Sequence, residues 1–343
     1  MIKSWIFEFF GPPQPPFEPR ASQAWFNSYL DLWASAERVG FDGIFFSEHH
    51  FGGGYSPAPH LLIANVALRT SKIRLGVMGV VPPYHSPWQL VEEIGMLDHL
   101  TNGRLEIGTA AGIPQEMAKV GLGVDEARAR NDEAIEIMDK ALAEPVISHH
   151  GTFWNFDNLC LTPRPVQQPS PPKWVTVVST SSARKAAQRG AKICTGFHPQ
   201  SKVVEIFDAY RDEADRCGRQ VGPDDLCLRR QVTLLAENTE REETLERRRH
   251  ISRERLKADP RLDLPDRPAV LDTPTAHAFS IGDEEFIAGT PDTVAEDIIA
   301  QCAECGAGNF AALFDRSTPP DRLMTWYRNY GDVTIPRLHN ARV

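Results

Sequence analysis

The sequence predicts a (β/α)8 TIM barrel with insertions after strands 4 and 7. Three observations predict it: eight short β-rich runs, helical apolar patterns returning between them, and a length of 343 residues, which barrels reach as one unit. The runs are 2–9, 43–47, 73–80, 104–109, 174–178, 191–195, 226–236 and 309–314. Strands alternating with helices mark a parallel sheet with helical crossovers, and right-handed crossovers close eight such units into a ring. An open doubly wound sheet is the alternative.

The returning helices are read from their period and their punctuation. Trp25, Tyr29, Trp33 and Ala36 recur at helical spacing and stop at Gly40. Leu61, Asn65 and Leu68 mark the second helix, Val91, Ile94 and Leu97 the third, and Ile135, Met138 and Leu142 the fourth. Ala183, Ala186 and Ala187 precede Gly190, and Val203, Phe207, Tyr210 and Ala214 precede Gly218. Another helix opens at Thr290-Pro291 and ends at Gly306, because threonine caps an amino end and a proline at the first position needs no amide partner.

Two stretches break this rhythm. Residues 143–173 are rich in proline and read as an irregular excursion; residues 237–286 interpose a charged helix and a proline-rich tail and read as a lid-like insertion. Both are too poor in apolar residues to build a second core, so residues 1–343 read as one domain.

Composition narrows the function. With 41% hydrophobic and 24% charged residues the chain is globular, and a net charge of -9 disfavours nucleic acid and anionic membrane. No apolar run is long enough to span a bilayer, and the apolar stretch 4–10 is broken by Glu8 with no cleavage site after it, so the expected location is cytoplasmic. The six cysteines form no dense framework, and Cys302 and Cys305 sit at helical spacing with Val294 and Ile298, which is a core pattern. No metal is expected.

In a barrel the chemistry lies at the carboxyl ends of the strands. Glu48, His49, His50 and Phe51 follow the second strand, and a histidine beside a carboxylate suits proton transfer near neutral pH; a purely structural pair of histidines is the alternative. Ser179, Thr180 and Ser182 open a helix, where hydroxyls and unpaired amides make either a phosphate cradle or an ordinary cap. Gly76 and Gly79 let something flat, or a packed neighbour, approach the third strand.

These residues, with Phe41-Asp42-Gly43, the run from Leu97 to Arg104 and the run from Leu161 to Pro169, appear in the order found in one family. Over nearly its whole length the chain resembles the bacterial-luciferase-like, flavin-dependent monooxygenases. The resemblance implies FMN with its phosphate at Ser179 and Ser182, to which Thr180 between them is added as a cofactor-binding candidate, a cis peptide between Met78 and Gly79 under the flavin ring, and Glu92 at an acidic position near the cofactor. It implies His49 as the catalytic histidine; Glu48 beside it is expected to orient it, and Phe9, Phe10, Tyr84 and Phe197 at the strand ends are expected to line an apolar substrate pocket. Two departures stand out. Ala110 and Ala111 occupy the place of a reactive cysteine and a phosphate-binding arginine, which leaves Arg184 as the candidate phosphate partner; and His85 is displaced by one from the usual His-Pro.

The implied activity is oxygenation of a small organic substrate by reduced FMN and dioxygen. No G-x-G-x-x-G follows a strand, so a separate flavin reductase is expected to supply the reduced FMN. Hydride transfer with a deazaflavin coenzyme, as in relatives of the same superfamily, and a non-catalytic flavin-binding barrel are the alternatives. A homodimer through the second and third helices is implied as well.

Overall fold

Parallel pairing organises the chain from its first strand. The computed structural model describes residues 1–11, 18–51, 54–257, 282–315 and 318–343, without the side chains of 252–257. Strands β1 (Lys3–Glu8), β2 (Gly43–Phe46), β3 (Arg74–Val77) and β4 (Leu105–Thr109) are followed by β5 (Val146–His150), β6 (Asn155–Cys160), β7 (Lys173–Thr176) and β8 (Lys192–Thr195). Then come β9 (Leu226–Leu234), β10 (Phe286–Gly289) and β11 (Asn309–Phe314). The parallel order β1-β2-β3-β4-β7-β8-β9-β11 returns to β1, a closed ring of the eight strands read from the sequence.

Side chains along these strands alternate between the two faces of the ring. Trp5, Phe7, Phe45, Met78, Trp174, Cys194 and Cys227 fill the inside, while Ile6, Ile44, Leu75 and Ile107 face outward. The Trp5 indole stacks on Phe45, with centroids 4.3 Å apart, in space left by Gly43; a Cβ there would fall 2.0 Å from the indole. Each large side chain buried this way contributes roughly 1.5–3 kcal/mol, so the aromatic filling makes the ring a packed core and not a pore.

The outer layer is helical: α1 (Pro19–Val39), α2 (Pro59–Ala67), α3 (Pro87–Leu100), α4 (Pro114–Lys119), α5 (Val124–Ala143), α6 (Thr180–Arg189), α7 (Gln200–Arg216), α8 (Arg241–Lys257), α9 (Pro291–Cys305), α10 (Pro320–Asn329) and α11 (Ile335–Asn340). Gly40, Gly190 and Gly306 end α1, α6 and α9 in the left-handed conformation that glycine adopts without strain. Cys302 and Cys305 are buried free thiols on α9. None of the described helices is long and apolar enough to cross a membrane.

Two expectations are corrected. Residues 143–173 are not wholly irregular: α5 runs to Ala143, and β5 and β6 pair as an antiparallel hairpin. Both hairpin strands are largely exposed, so they lack the apolar alternation by which a strand is read. The stretch 237–286 holds α8 and, at its end, the first residue of β10, a short ninth parallel strand on the carboxyl half of β9. The part of that expected lid at 258–281 lies outside the described residues.

The motif stretches away from the strand ends tie the base of the barrel. Arg104, just before β4, donates to the carbonyls of Thr101, Ile73, Thr70 and Ala67 and so caps α2. Asp98 accepts from the backbone N–H and the side-chain amide of Gln167, each at 2.7 Å, and Arg164 donates to the carbonyls of Ala141, Leu142 and Glu144 at the end of α5. Their roles are structural.

Candidate active site

The mouth begins where β1 ends. Phe7 and Phe9 continue the inward face set by Trp5, whereas Phe10 is 1% exposed and packs outward on Phe26, Tyr29 and Trp33 of α1. Phe10 is therefore core, packed on α1 and turned from the aromatic row at the mouth, a correction that follows from the turn of the chain beyond β1. Phe9 stacks on His49 with ring centroids 4.8 Å apart and stands 6.5 Å from Phe197.

Beyond β2 the acid and the two histidines divide into separate clusters. Glu48 is 3% exposed and accepts from Nε2 of His50 at 2.8 Å, Nε2 of His85 at 2.9 Å and the N–H of Val81 at 3.1 Å. It does not hold His49, because neighbouring side chains point apart. The carboxylate that orients His49 is Glu116 of α4: its Oε1 lies 3.1 Å from Nδ1 of His49 and accepts the backbone N–H of His50 at 3.0 Å. Glu116 stands 67 residues from His49 and carries no local signal in the sequence; it is brought in by α4, which follows β4 directly.

Charge follows this wiring. Burial pushes the Glu48 carboxyl upward, but the hydrogen bonds from His50 and His85 prevail and hold it below its ordinary value. The hydrogen bond to Glu48 raises His50. Burial, reinforced by Glu116 and Glu48, pushes the Tyr84 hydroxyl up and keeps it protonated; its oxygen is buried with no protein partner among the described residues. His85, one place off the usual motif, thus serves as the second donor to Glu48. Among the described residues no cluster of histidine, cysteine and acid could hold a metal.

The third and seventh strands supply the rest. The Met78–Gly79 peptide is cis, Met78 is buried in the barrel interior, and a Cβ on Gly79 would fall 2.4 Å from the backbone of Thr109 on β4. The required closeness is thus of strand to strand. At the start of α6, Ser179 accepts the N–H of Ser182 at 3.2 Å, and the Ser182 hydroxyl accepts the N–H groups of Ser179 and Val178 at 3.1 and 3.2 Å. This is a full capping box, so the donors it leaves for a ligand are the first-turn amides of Thr180 and Ser181. A phosphate fits that amide end, at the positive pole of a ten-residue helix.

The structure disperses two residues from this cluster. Arg184 is exposed on α6 and faces the outer layer, where the Glu213 carboxyl of α7 is lowered first by the hydrogen bond from Gln188, then by Arg216, and least by Arg184. Glu92 is half-buried on α3; its neighbour Glu93 makes the contact there, 2.7 Å from Nδ1 of His60.

Residues 7–308 match the model of the luciferase-like monooxygenase family. The chain is similar to the oxygenase component of the flavin-dependent trigonelline monooxygenase of Acinetobacter baylyi, 34% identical over 55% of this chain and 54% of the relative. It thus spans about half the length of the curated relatives it matches. Among solved structures it resembles monooxygenase RslO1 of Streptomyces bottropensis, with a TM-score of 0.79 and 25% identity over 98% of this chain and 99% of the other. It shares the fold of the oxygenating constituent of 3,6-diketocamphane monooxygenase of Pseudomonas putida, with a TM-score of 0.79 and 21% identity over 98% of each chain.

Proposed function

This chain belongs to the luciferase-like monooxygenases, and from that premise we propose that its whole length acts as one FMN-dependent oxygenase barrel for a small organic substrate, with a separate flavin reductase as its partner. The observation that carries the reading is the His49 imidazole, fixed at Nδ1 by Glu116 and covered by the Phe9 ring at the carboxyl end of the barrel. A carboxylate at Nδ1 puts the ring proton there and leaves Nε2 to exchange a proton with a ligand. Met78, Gly79 and the amide end of α6 at Thr180 and Ser181 would hold the cofactor. The chemistry that reduced FMN supplies when bound is activation of dioxygen.

The chain's own part is to bind, shield and move a proton. Phe9 and Phe197 form an apolar wall that excludes water, Tyr84 offers a protonated hydroxyl, and His49 exchanges the proton. The relative named as an oxygenase component supports a reductase made as a separate chain. A homodimer through α2 and α3 is supported by Leu61, Leu68, Met96 and Leu100, all exposed on those two helices or their ends.

The test is retention. Mixed with FMN or with a deazaflavin coenzyme and passed through gel filtration, the protein is expected to keep FMN. Retention of the deazaflavin alone would move the reading to hydride transfer.

A further inference from the structure

Among the described residues Arg229 is a buried cation that shares its one carboxylate with a second arginine. It lies on β9, 2% exposed, in register with Ala311 and two residues beyond Cys227, both of which face the barrel interior. Its guanidinium lies 3.6 Å over the Phe197 ring and 5.7 Å over the Phe7 ring. Nη2 donates to Oε1 of Glu285 at 2.7 Å, whereas Nη1 is buried with no acceptor among the described residues.

Glu285 is shared. It also accepts from Nη1 of Arg230 at 3.3 Å and from the N–H of Phe197 at 2.8 Å; among the described residues the other hydrogen bonds of Arg230 go to neutral groups, on Gln301, Gln200, His198 and the Arg229 carbonyl. Among the described residues, these two buried guanidinium groups share the one carboxylate, and Glu284 acts on Arg230 only through space. Burial first, and then Lys202, Arg230 and Arg229, push His198 beside this group down to about 4. The local surroundings are built to keep the arrangement: a Cβ on Gly196 would fall 2.5 Å from Nη2 of Arg229, and Phe197 adopts a left-handed φ of 64° beneath the guanidinium.

We propose that Arg229 anchors the carboxylate of an aromatic or otherwise apolar substrate, with Nη1 as the donor. An incoming carboxylate supplies both the missing acceptor and a further negative charge, and a bidentate fork suits it. The Phe7, Phe9 and Phe197 rings run from the guanidinium toward His49, so the anion sits at one end of an apolar row and the proton-exchanging imidazole at the other. This assignment rests on the mouth being the oxygenation site. The same chemistry would also recognise the phosphate of the flavin, and the experiment separates the two.

Benzoate serves as the probe and benzamide as its neutral counterpart, titrated at constant ionic strength into the full chain without flavin and followed by thermal shift. The wild type is expected to prefer benzoate. In Arg229→Gln that preference is expected to fall by roughly 10–100-fold, with benzamide binding and the ratio of FMN to riboflavin affinity unchanged. Arg229→Lys, which keeps the charge, is expected to retain part of the preference and serves in place of the glutamine variant should that one not fold. Equal binding of benzoate and benzamide by the wild type, or undiminished benzoate binding by Arg229→Gln, would overturn the assignment. A loss confined to FMN over riboflavin would overturn it too, by giving the arginine to the phosphate. A protein that retains no FMN would sink the proposed function while leaving the flavin-free comparison to be read independently.

Discussion

Nδ1 of His49 lies 3.1 Å from Oε1 of Glu116, and this contact joins the loop after β2 to the helix after β4. The carboxylate fixes the tautomer and stabilises the imidazolium that forms when Nε2 takes a proton. His49→Ala is therefore expected to lower turnover by roughly 10²–10⁴-fold with FMN affinity nearly intact. Glu116→Gln can present either an amide oxygen or an amide N–H to Nδ1 and so no longer fixes the tautomer; turnover is expected to fall by roughly 10-fold with FMN affinity nearly intact. A variant that lost thermal stability while its turnover stayed at the wild-type level would reduce Glu116 to a structural tie.

The Glu48 cluster gives a pH dependence in stability. His50 is raised above its ordinary 6.5, so its contribution is complete below that pH and is lost as pH rises through the raised value. Glu48 is lowered below its ordinary 4.5, so its contribution is present above that pH and is lost as pH falls through the lowered value. The two overlap most fully between pH 4.5 and 6.5. His50→Asn is expected to cost about 1–2 kcal/mol in that window, with the gap in Tm to the wild type closing toward alkaline pH. A gap that is the same at every pH would show that the pair is not ionic.

The barrel was legible because its strands are buried on both faces and its helices obey the 3.6-residue period; the hairpin of β5 and β6 was not, because exposed strands carry no such pattern. β10 is only four residues long and follows a proline-rich stretch, and its place is set by pairing with β9. At the mouth, the strand ends and the serine box could be read from local spacing. The partner of His49 could not, since Glu116 becomes its neighbour only when the ring closes, and the adjacent acid, Glu48, is drawn instead to His50 and His85. Arg229 was hidden for a similar reason: its significance lies in sharing Glu285, which is 56 residues away.

At the start of α6, Ser179 both caps the helix and frames the expected phosphate site. Ser179→Ala removes the acceptor of the Ser182 N–H and is expected to cost about 1 kcal/mol, read as a lower urea midpoint. Because the altered end is where the phosphate would bind, FMN affinity is expected to fall severalfold while riboflavin affinity holds. Equal losses for the two flavins would place the phosphate elsewhere.

The face of α2 and α3 yields the last prediction. The two helices are joined by His60 and Glu93 at 2.7 Å; Leu61 of α2 and Leu68 at its carboxyl end, 67% and 78% exposed, are seven residues apart and so share one side, and Met96 and Leu100 of α3 are exposed as well. Leucines so exposed gain by being covered, at roughly 25 cal/mol per Å² of apolar surface, and a symmetric pair of copies covers the same patch twice. A charge at each centre reverses that gain, because a carboxylate buried in an apolar interface has no partner. Leu61→Glu combined with Leu68→Glu is therefore expected to shift the protein from dimer to monomer in sedimentation velocity. The monomer is expected to keep its FMN, since neither leucine belongs to the mouth of the barrel. A wild type that sediments as a monomer, or a double variant that remains a dimer, would remove this face as the interface.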